Sequence, residues 1–318
     1  MKRTTYQGWL IGGIFLVSIG LMAPAMVAGQ SYPSKTIVWI VSSAPGGGFD
    51  TYARAFAPRL EKYLPGKVNV VVKNVPGAGG LNGATKIFNA KPDGYTIGYL
   101  YYPGIAILQL TSDIGFDPTK FVPIAQIAVD TQGVFVSAKS DINTIADLQK
   151  KDPMRGLTQP KGVTMYSYWV ITTKLFKLKS KLVTGYKGGS EVATGLMRGD
   201  GDAGILNLTN FFKYVESGDL RVILTFSKER HSLTPDVPSV AELGQPEGTV
   251  CASWKVLFGP PGLPADRAKI LQDAFRKAAE EPELQAWAKK ANRPVQYLDG
   301  QTAWGELQNV LRIYKKYH

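Results

Sequence analysis

The sequence has few of the residues that enzymes most often use to bind metals or attack substrates. Its 318 residues include one cysteine, Cys251, and two histidines, one of which is the last residue, His318. A single cysteine excludes an intrachain disulfide, and the whole set is too small for a usual zinc site. The other histidine, His231, lies among charged residues, which predicts a solvated loop. We therefore predict no metal site, no cofactor and no catalytic residue.

Motifs of the common nucleophile and nucleotide sites are also missing. There is no Gly-x-Ser-x-Gly elbow, and no glycine-rich stretch ends in the Gly-Lys-Ser/Thr of a phosphate-binding loop. Residues 77–82 (GAGGLN) approach the dinucleotide fingerprint, but Asn82 stands where a third glycine is needed. The basic residues are dispersed rather than clustered with aromatic ones, which does not favour nucleic acid as a partner.

The chain is basic, and its first segment differs from the rest. The net charge of +12 suits acidic ligands, although it is also compatible with a solubility role or attraction to an anionic membrane. Lys2 and Arg3 precede an apolar run at residues 9–22 and small residues at 23–29. This order predicts a signal peptide over residues 1–29 and a soluble periplasmic product. An uncleaved anchor is the alternative, but the run is short for a membrane span and contains glycines.

Two glycine-rich stretches predict an anion site. Residues 44–48 (APGGG) follow the β-branched run 37–41, and residues 76–80 (PGAGG) follow the run 68–72. Each is expected to form a turn at the carboxyl end of a strand, where backbone N–H groups converge on a negative charge. Asp50 is predicted to be the N-cap of the helix that follows the first stretch.

Strand and helix patterns alternate along the chain. This alternation predicts an α/β fold with parallel sheets covered by helices. Residues 133–137 and 254–258 are expected to be crossing strands, and a further strand is expected near residues 162–165. With 318 residues, 44% of them hydrophobic, the chain is long enough for two domains.

Several separated motifs then point to one family. They are residues 32–35 (YPSK), 74–80 (NVPGAGG), 92–96 (PDGYT), 186–190 (YKGGS) and 235–239 (PDVPS). In this order they resemble the solute-binding proteins of tripartite tricarboxylate transporters, the Bug type. The resemblance extends from about residue 32 to the C-terminus.

The resemblance implies a two-lobed periplasmic-binding-protein fold of type II, in which each lobe is a mostly parallel sheet flanked by helices and two strands cross between the lobes. Residues 30–131 and 253–318 would form lobe I, which carries the two glycine loops, and residues 132–252 would form lobe II, which selects the ligand. The implied ligand is a carboxylate: a dicarboxylate, a tricarboxylate, an aromatic acid or an amino acid. The implied partner is a membrane permease, and the protein itself is expected to be a monomer.

Ligand-binding residues are expected on both lobes. In lobe I the resemblance points to backbone groups of the two loops, at Ser43, Ala44, Gly46, Gly47, Gly77, Ala78, Gly79 and Gly80. In lobe II, where residues 158–164 depart from the family's usual glycine, serine and histidine motif, the candidates are Thr158, Lys161, Thr164 and Asn207. Lys161 is either the partner of a second carboxylate or a solvated charge. Tyr166 and Trp169 are either stacking groups for an aromatic acid or core residues.

Two other functions use similar features. A sensor subunit that presents a bound acid to a receptor would need the same binding chemistry, and the sequence does not separate it from a transport protein. An extracytoplasmic enzyme acting on a carboxylic acid is less favoured, because no nucleophile or metal-binding motif accompanies the loops.

Overall fold

The computed structural model describes residues 1–2, 4–5, 32–102, 104–109, 112–161 and 163–318. The chain divides into two units, Met1–Ser31 and Tyr32–His318, and the second contains all the helices and strands described below. The predicted signal peptide lies almost entirely outside the described residues. Among the helices that are described, none combines the length and apolar character needed to cross a membrane.

Helices and strands alternate through most of the second unit. The first elements are β1 (Ile37–Val41), α1 (Gly48–Tyr63), β2 (Val70–Asn74), α2 (Leu81–Phe88), β3 (Thr96–Tyr99), α3 (Gly104–Leu108) and β4 (Val122–Ser137). The middle elements are α4 (Ile145–Lys150), β5 (Met154–Leu157), α5 (Thr164–Leu175), β6 (Ser180–Val183), α6 (Gly189–Arg198), β7 (Ala203–Asn207), α7 (Leu208–Phe211), α8 (Lys213–Glu216) and β8 (Leu220–Thr225). The last elements are β9 (Ala252–Gly259), α9 (Ala265–Glu280), α10 (Pro282–Lys290), β10 (Leu298–Asp299) and α11 (Gly300–Tyr317).

The long strand β4 connects two groups of strands. Its first part, Val122 to Thr131, pairs antiparallel with β9. On its other side β9 pairs antiparallel with β3, which is the nearest strand of the parallel set β3, β1 and β2. Its second part, from Gln132, pairs antiparallel with β7 and β8, and β7 continues into the parallel set β7, β5 and β6. The predicted α/β class with two crossing strands is confirmed. The crossing strands themselves pair antiparallel.

The parallel pairing of β1 with β2 and β3 brings the two glycine loops to one edge of the sheet. Ile37 pairs with Val70 and Val38 with Thr96, so the carboxyl ends of β1 and β2 lie side by side. The covering helix α1 buries Ala53, Phe56 and Leu60 at helical spacing against this sheet. The loops are therefore held on a packed support.

Two local predictions were wrong. Gly47, rather than Asp50, is the N-cap of α1, and the Asp50 side chain folds back onto the preceding loop. The prediction of a strand near residues 162–165 was also wrong, because Thr164 and Met165 already belong to α5. The strand lies earlier, at β5, whose sequence MRGL contains no β-branched residue and so gives little strand signal.

Candidate functional site

A cavity of about 930 Å³ lies where the glycine loops face the segments that follow β5, β6 and β7. The loops contribute Ser42, Ser43, Ala44, Gly48, Phe49 and residues 76–80. The opposite wall contains residues 159–161, 163–165, 185–189, Asn207, Asn210 and Phe211. The crossing strands β4 and β9 form its floor with Asp130, Gln132 and residues 252–255.

The first loop is fixed by a buried carboxylate. Asp50, which is 3% exposed, accepts hydrogen bonds from the Gly46 N–H (2.9 Å), from Arg54 Nε (3.0 Å) and from Asn74 Nδ2 (3.0 Å). Burial raises the pKa of Asp50, but these hydrogen bonds, that from Arg54 first, outweigh burial and leave the pKa below its usual value. Asp50 is therefore an anionic brace for the loop.

Only the two ends of the first loop face the cavity. The Gly46 N–H is already donated to Asp50, and neither Gly46 nor Gly47 lies in the cavity wall. Ser43 and Ala44 do line the cavity, together with Gly48 at the start of α1. The cavity-facing part of the loop is thus its beginning and its end, and not the glycines at its centre.

The second loop faces the cavity along its whole length. Gly77, Ala78, Gly79 and Gly80 all line it, and all four have positive φ angles of 117°, 46°, 65° and 96°. Three of these positions are glycines, which adopt such angles without the steric penalty of a side chain. A run of this kind turns successive peptide groups toward one side and can form an anion-binding concavity.

Four helices begin at the cavity wall without a side-chain cap. Their N-caps are Gly47 for α1, Gly80 for α2, Val163 for α5 and Gly188 for α6, and none makes a side-chain hydrogen bond to its helix. The first N–H groups of a helix have no partner in a preceding turn of that helix and carry a partial positive charge. Two of them are already paired here, because Leu81 N–H donates to the Ala78 carbonyl and Tyr166 N–H to the Val163 carbonyl. These helix ends favour anions from both sides of the cavity, while the carboxylates of Asp50 and Glu191 in the first turns of α1 and α6 oppose this effect.

The four candidates on the opposite wall have different environments. Lys161 is exposed at the cavity, and it makes none of the ion pairs found among the described residues. Thr164 is the first residue of α5 and lines the cavity. Thr158 is fully buried outside the wall, and its Oγ1 atom has no hydrogen-bond partner.

Asn207, the last of these candidates, lines the cavity as the N-cap of α7. Its Oδ1 atom accepts from the Asn210 N–H at 2.9 Å, and its Nδ2 atom donates to Asp130 at 3.3 Å. The amide is therefore oriented from both ends before any ligand binds.

Neither of the two aromatic candidates, Tyr166 and Trp169, lines the cavity. Trp169 is fully buried and donates its Nε1 hydrogen to the Leu157 carbonyl at 3.0 Å, so it is a core residue. Tyr166 does not line the cavity, whereas its neighbour Tyr168 does and donates its hydroxyl hydrogen to the Ala252 carbonyl at 2.8 Å. His231, predicted as solvated, is half-buried, and burial lowers its pKa.

An ion pair that was not predicted from the sequence lies beneath the cavity. Asp130 in β4 and Lys255 in β9 are 2% and 1% exposed, and their charged atoms lie 2.8 Å apart. Burial lowers the pKa of Lys255, and the Asp130 carboxylate opposes this effect. The signal in the sequence was a charge inside each apolar strand, at the end of residues 124–130 (IAQIAVD) and within residues 252–259 (ASWKVLFG).

Comparison with known proteins places the chain in a family. A family model described as the tripartite tricarboxylate transporter family receptor, TctC, matches residues 52–312. A UPF0065 protein from the gbd 5' region of Cupriavidus necator is 30% identical over 291 residues, which cover 89% of this chain and 87% of that protein.

Solved structures share the fold. The periplasmic binding protein BugD matches with a TM-score of 0.74 and 22% identity over 90% of this chain and 98% of BugD. MatC from Rhodopseudomonas palustris with bound malate matches with a TM-score of 0.72 and 21% identity over 89% of this chain and all (100%) of MatC. An R. palustris protein with adipate matches with a TM-score of 0.73 and 21% identity over 90% of this chain and 97% of that protein.

These likenesses confirm the periplasmic-binding-protein fold expected from the sequence motifs. The family model covers most of the chain, including the second glycine loop, the opposite wall of the cavity and both crossing strands. The protein is therefore a solute-binding member of the tripartite tricarboxylate transporter family of receptors.

Proposed function

We propose that the protein binds a small carboxylate between two lobes outside the cytoplasm and delivers it to a membrane permease. The observation that carries this proposal is the convergence of four uncapped helix N-termini and one run of positive-φ peptides on a single cavity. Neutral N–H donors hold an anion without burying a counter-charge beside it. Malate and adipate, bound by two proteins of the same fold, are the first acids to test.

The lobes in this proposal are those expected from the sequence. Residues 30–131 and 253–318 form lobe I with the two loops, and residues 132–252 form lobe II. The division is supported by the pairing of β4, which changes partner from β9 to β7 between Thr131 and Gln132. One carboxylate binds at the loops, and closure brings Lys161, Thr164 and Asn207 onto the rest of the ligand.

The binding step is tested by a screen of purified protein lacking residues 1–29. Mono-, di- and tricarboxylic acids and aromatic acids are compared with neutral sugars by thermal shift, and hits are measured by calorimetry. A carboxylate at 100 times its Kd should stabilise the native state by about 2.7 kcal/mol. Stabilisation by sugars and by none of the acids would contradict the proposal.

The export and delivery steps need separate measurements. The full chain expressed in a Gram-negative host should be recovered from the periplasm, with a mass that lacks about the first 25 to 29 residues. Membrane vesicles carrying the permease should accumulate the bound acid only when the protein is added. Uptake that does not depend on the protein would favour a sensor role for the same binding site.

A further inference from the structure

The charged groups of Asp130 and Lys255 already have their hydrogen-bonding partners within the protein. Lys255 Nζ lies 2.8 Å from Asp130 Oδ2 and donates to Ser253 Oγ at 2.8 Å and to the Ser253 carbonyl at 3.2 Å, so three oxygen atoms of the protein surround an ammonium group that has three hydrogens. Asp130 also accepts from Tyr52 at 3.1 Å and from Asn207 at 3.3 Å. A ligand in the cavity therefore finds no free donor on Lys255.

The ammonium group also lies over a residue at the start of α1. Lys255 Nζ is 4.3 Å from the centroid of the Phe49 ring, within the range of a cation–π contact. Phe49 follows Gly48 directly and lines the cavity, at the point where the first glycine loop ends. The contact is shielded from water, because Lys255 is 1% exposed, and it is correspondingly strong.

Phe49 also contacts Tyr101, which packs against the second loop. Its ring meets the Tyr101 ring edge-on, with centroids 4.8 Å apart. Tyr101 in turn packs against Gly80, so closely that a Cβ atom on Gly80 would lie 2.5 Å from Tyr101 Cδ2. A continuous series of contacts thus runs from Lys255 through Phe49 and Tyr101 to Gly80.

We propose that Asp130 and Lys255 are positioning residues for the carboxylate site, and that they hold the two glycine loops in register through Phe49 and Tyr101. Asp130 orients Lys255 and neutralises it, so the ammonium can be buried under the loops without adding a net charge. The inference rests on the proposed function, since it concerns how the carboxylate is held.

Removing both charges together tests the positioning role without leaving an unpaired buried charge that would destabilise the fold. A buried ion pair replaced by uncharged groups of similar volume is often tolerated, whereas removing one partner leaves an uncompensated charge. In the double variant Asp130→Asn, Lys255→Met, the amide oxygen still accepts from Tyr52, while the amide nitrogen replaces the oxygen that accepts from Asn207, so this one hydrogen bond is lost. Methionine fills the lysine volume without the cation. We expect this variant to fold but to bind malate, adipate or the tightest acid from the screen at least tenfold more weakly.

The variant Phe49→Leu tests whether the ion pair acts on the loops through Phe49. If Lys255 acts through Phe49, then Phe49→Leu alone weakens binding, and adding it to the double variant causes little further loss. Independent contributions would instead multiply the two losses. Amide hydrogen exchange provides a second readout: it should accelerate at residues 43–49 and 76–80 in the double variant and not across the whole chain. Glu281→Gln, which breaks a partly buried ion pair outside the cavity wall, is the control for general destabilisation.

The outcomes are distinct. If the wild-type protein binds no carboxylate, the proposed function itself is contradicted. If it does bind one and the folded double variant binds equally well, or the losses multiply, the positioning role is wrong. Should the double variant fail to fold, Phe49→Leu decides alone, and unchanged affinity in that variant overturns the inference.

Discussion

Gly79 in the second glycine loop faces Val163 of the opposite wall: a Cβ atom on Gly79 would lie 3.6 Å from Val163 Cγ2. Gly79→Val should therefore narrow the cavity at the second loop, and the φ of 65° at this position is unfavourable for a β-branched residue. We expect a loss of carboxylate affinity of tenfold or more, measured by calorimetry, and a loss of stability of about 1–3 kcal/mol from backbone strain.

Gly199→Val is the matched control for Gly79→Val. Gly199 ends α6 with a φ of 84°, and a Cβ atom there meets nothing within 4 Å. It should lose similar stability but keep the affinity of the wild-type protein. Equal affinities in the two variants would remove the second loop from the binding site.

The sequence predicted the two loops well because their signals are local. A β-branched run followed by PGAGG allows few structures other than a strand ending in a turn, and the parallel register of β1 and β2 then brings the loops together. Local signals also explain the error at Asp50. Its residue type suits an N-cap, but the actual cap, Gly47, leaves no side-chain signal to compete with it.

The remaining parts of the site depend on contacts between distant residues. Asp130 and Lys255 are 125 positions apart, since 255 − 130 = 125, and only the pairing of β4 with β9 brings them together. No pattern along the sequence records such a pairing.

Trp254 offers a spectroscopic test of ligand binding. It lines the cavity, and its Nε1 atom is buried without a hydrogen-bond partner. A bound carboxylate that changes the polarity around this indole should change tryptophan emission. Trp254→Phe should remove most of the ligand-induced change, while Trp287→Phe, outside the cavity wall, should keep it. An unchanged signal in Trp254→Phe would place the bound acid away from β9.

Cys251 should be unreactive in the native protein. It is fully buried directly before β9, and burial raises the pKa of its thiol, so the reactive thiolate is scarce at neutral pH. We expect no colour development with a thiol reagent such as Ellman's in native buffer and one thiol per chain after denaturation. Rapid labelling of the native protein would show that the β9 region opens more readily than its burial indicates.

Glu281 should make the stability of the protein depend on pH. It is 7% exposed and pairs with Lys62 and with Arg59, whose Nε atom lies 2.9 Å from Oε2. The hydrogen bond from Lys62 is the main cause of a lowered pKa for Glu281. A carboxylate with a lowered folded-state pKa stabilises the protein fully above its unfolded pKa of about 4.3, and this stabilisation is lost as the pH falls through the folded-state pKa.

Glu281→Gln should therefore have a lower Tm than the wild-type protein at pH 7, and the gap should narrow below about pH 4. Because Lys62 is 60% exposed, water screens its part of the interaction. We therefore expect a modest difference in Tm, of about 2–4 °C. The neighbouring Glu280, paired with Arg276 at the surface, provides the control, and Glu280→Gln should change the Tm little at either pH. A Tm gap for Glu281→Gln that persists unchanged at pH 3 would show that its charge is not the cause.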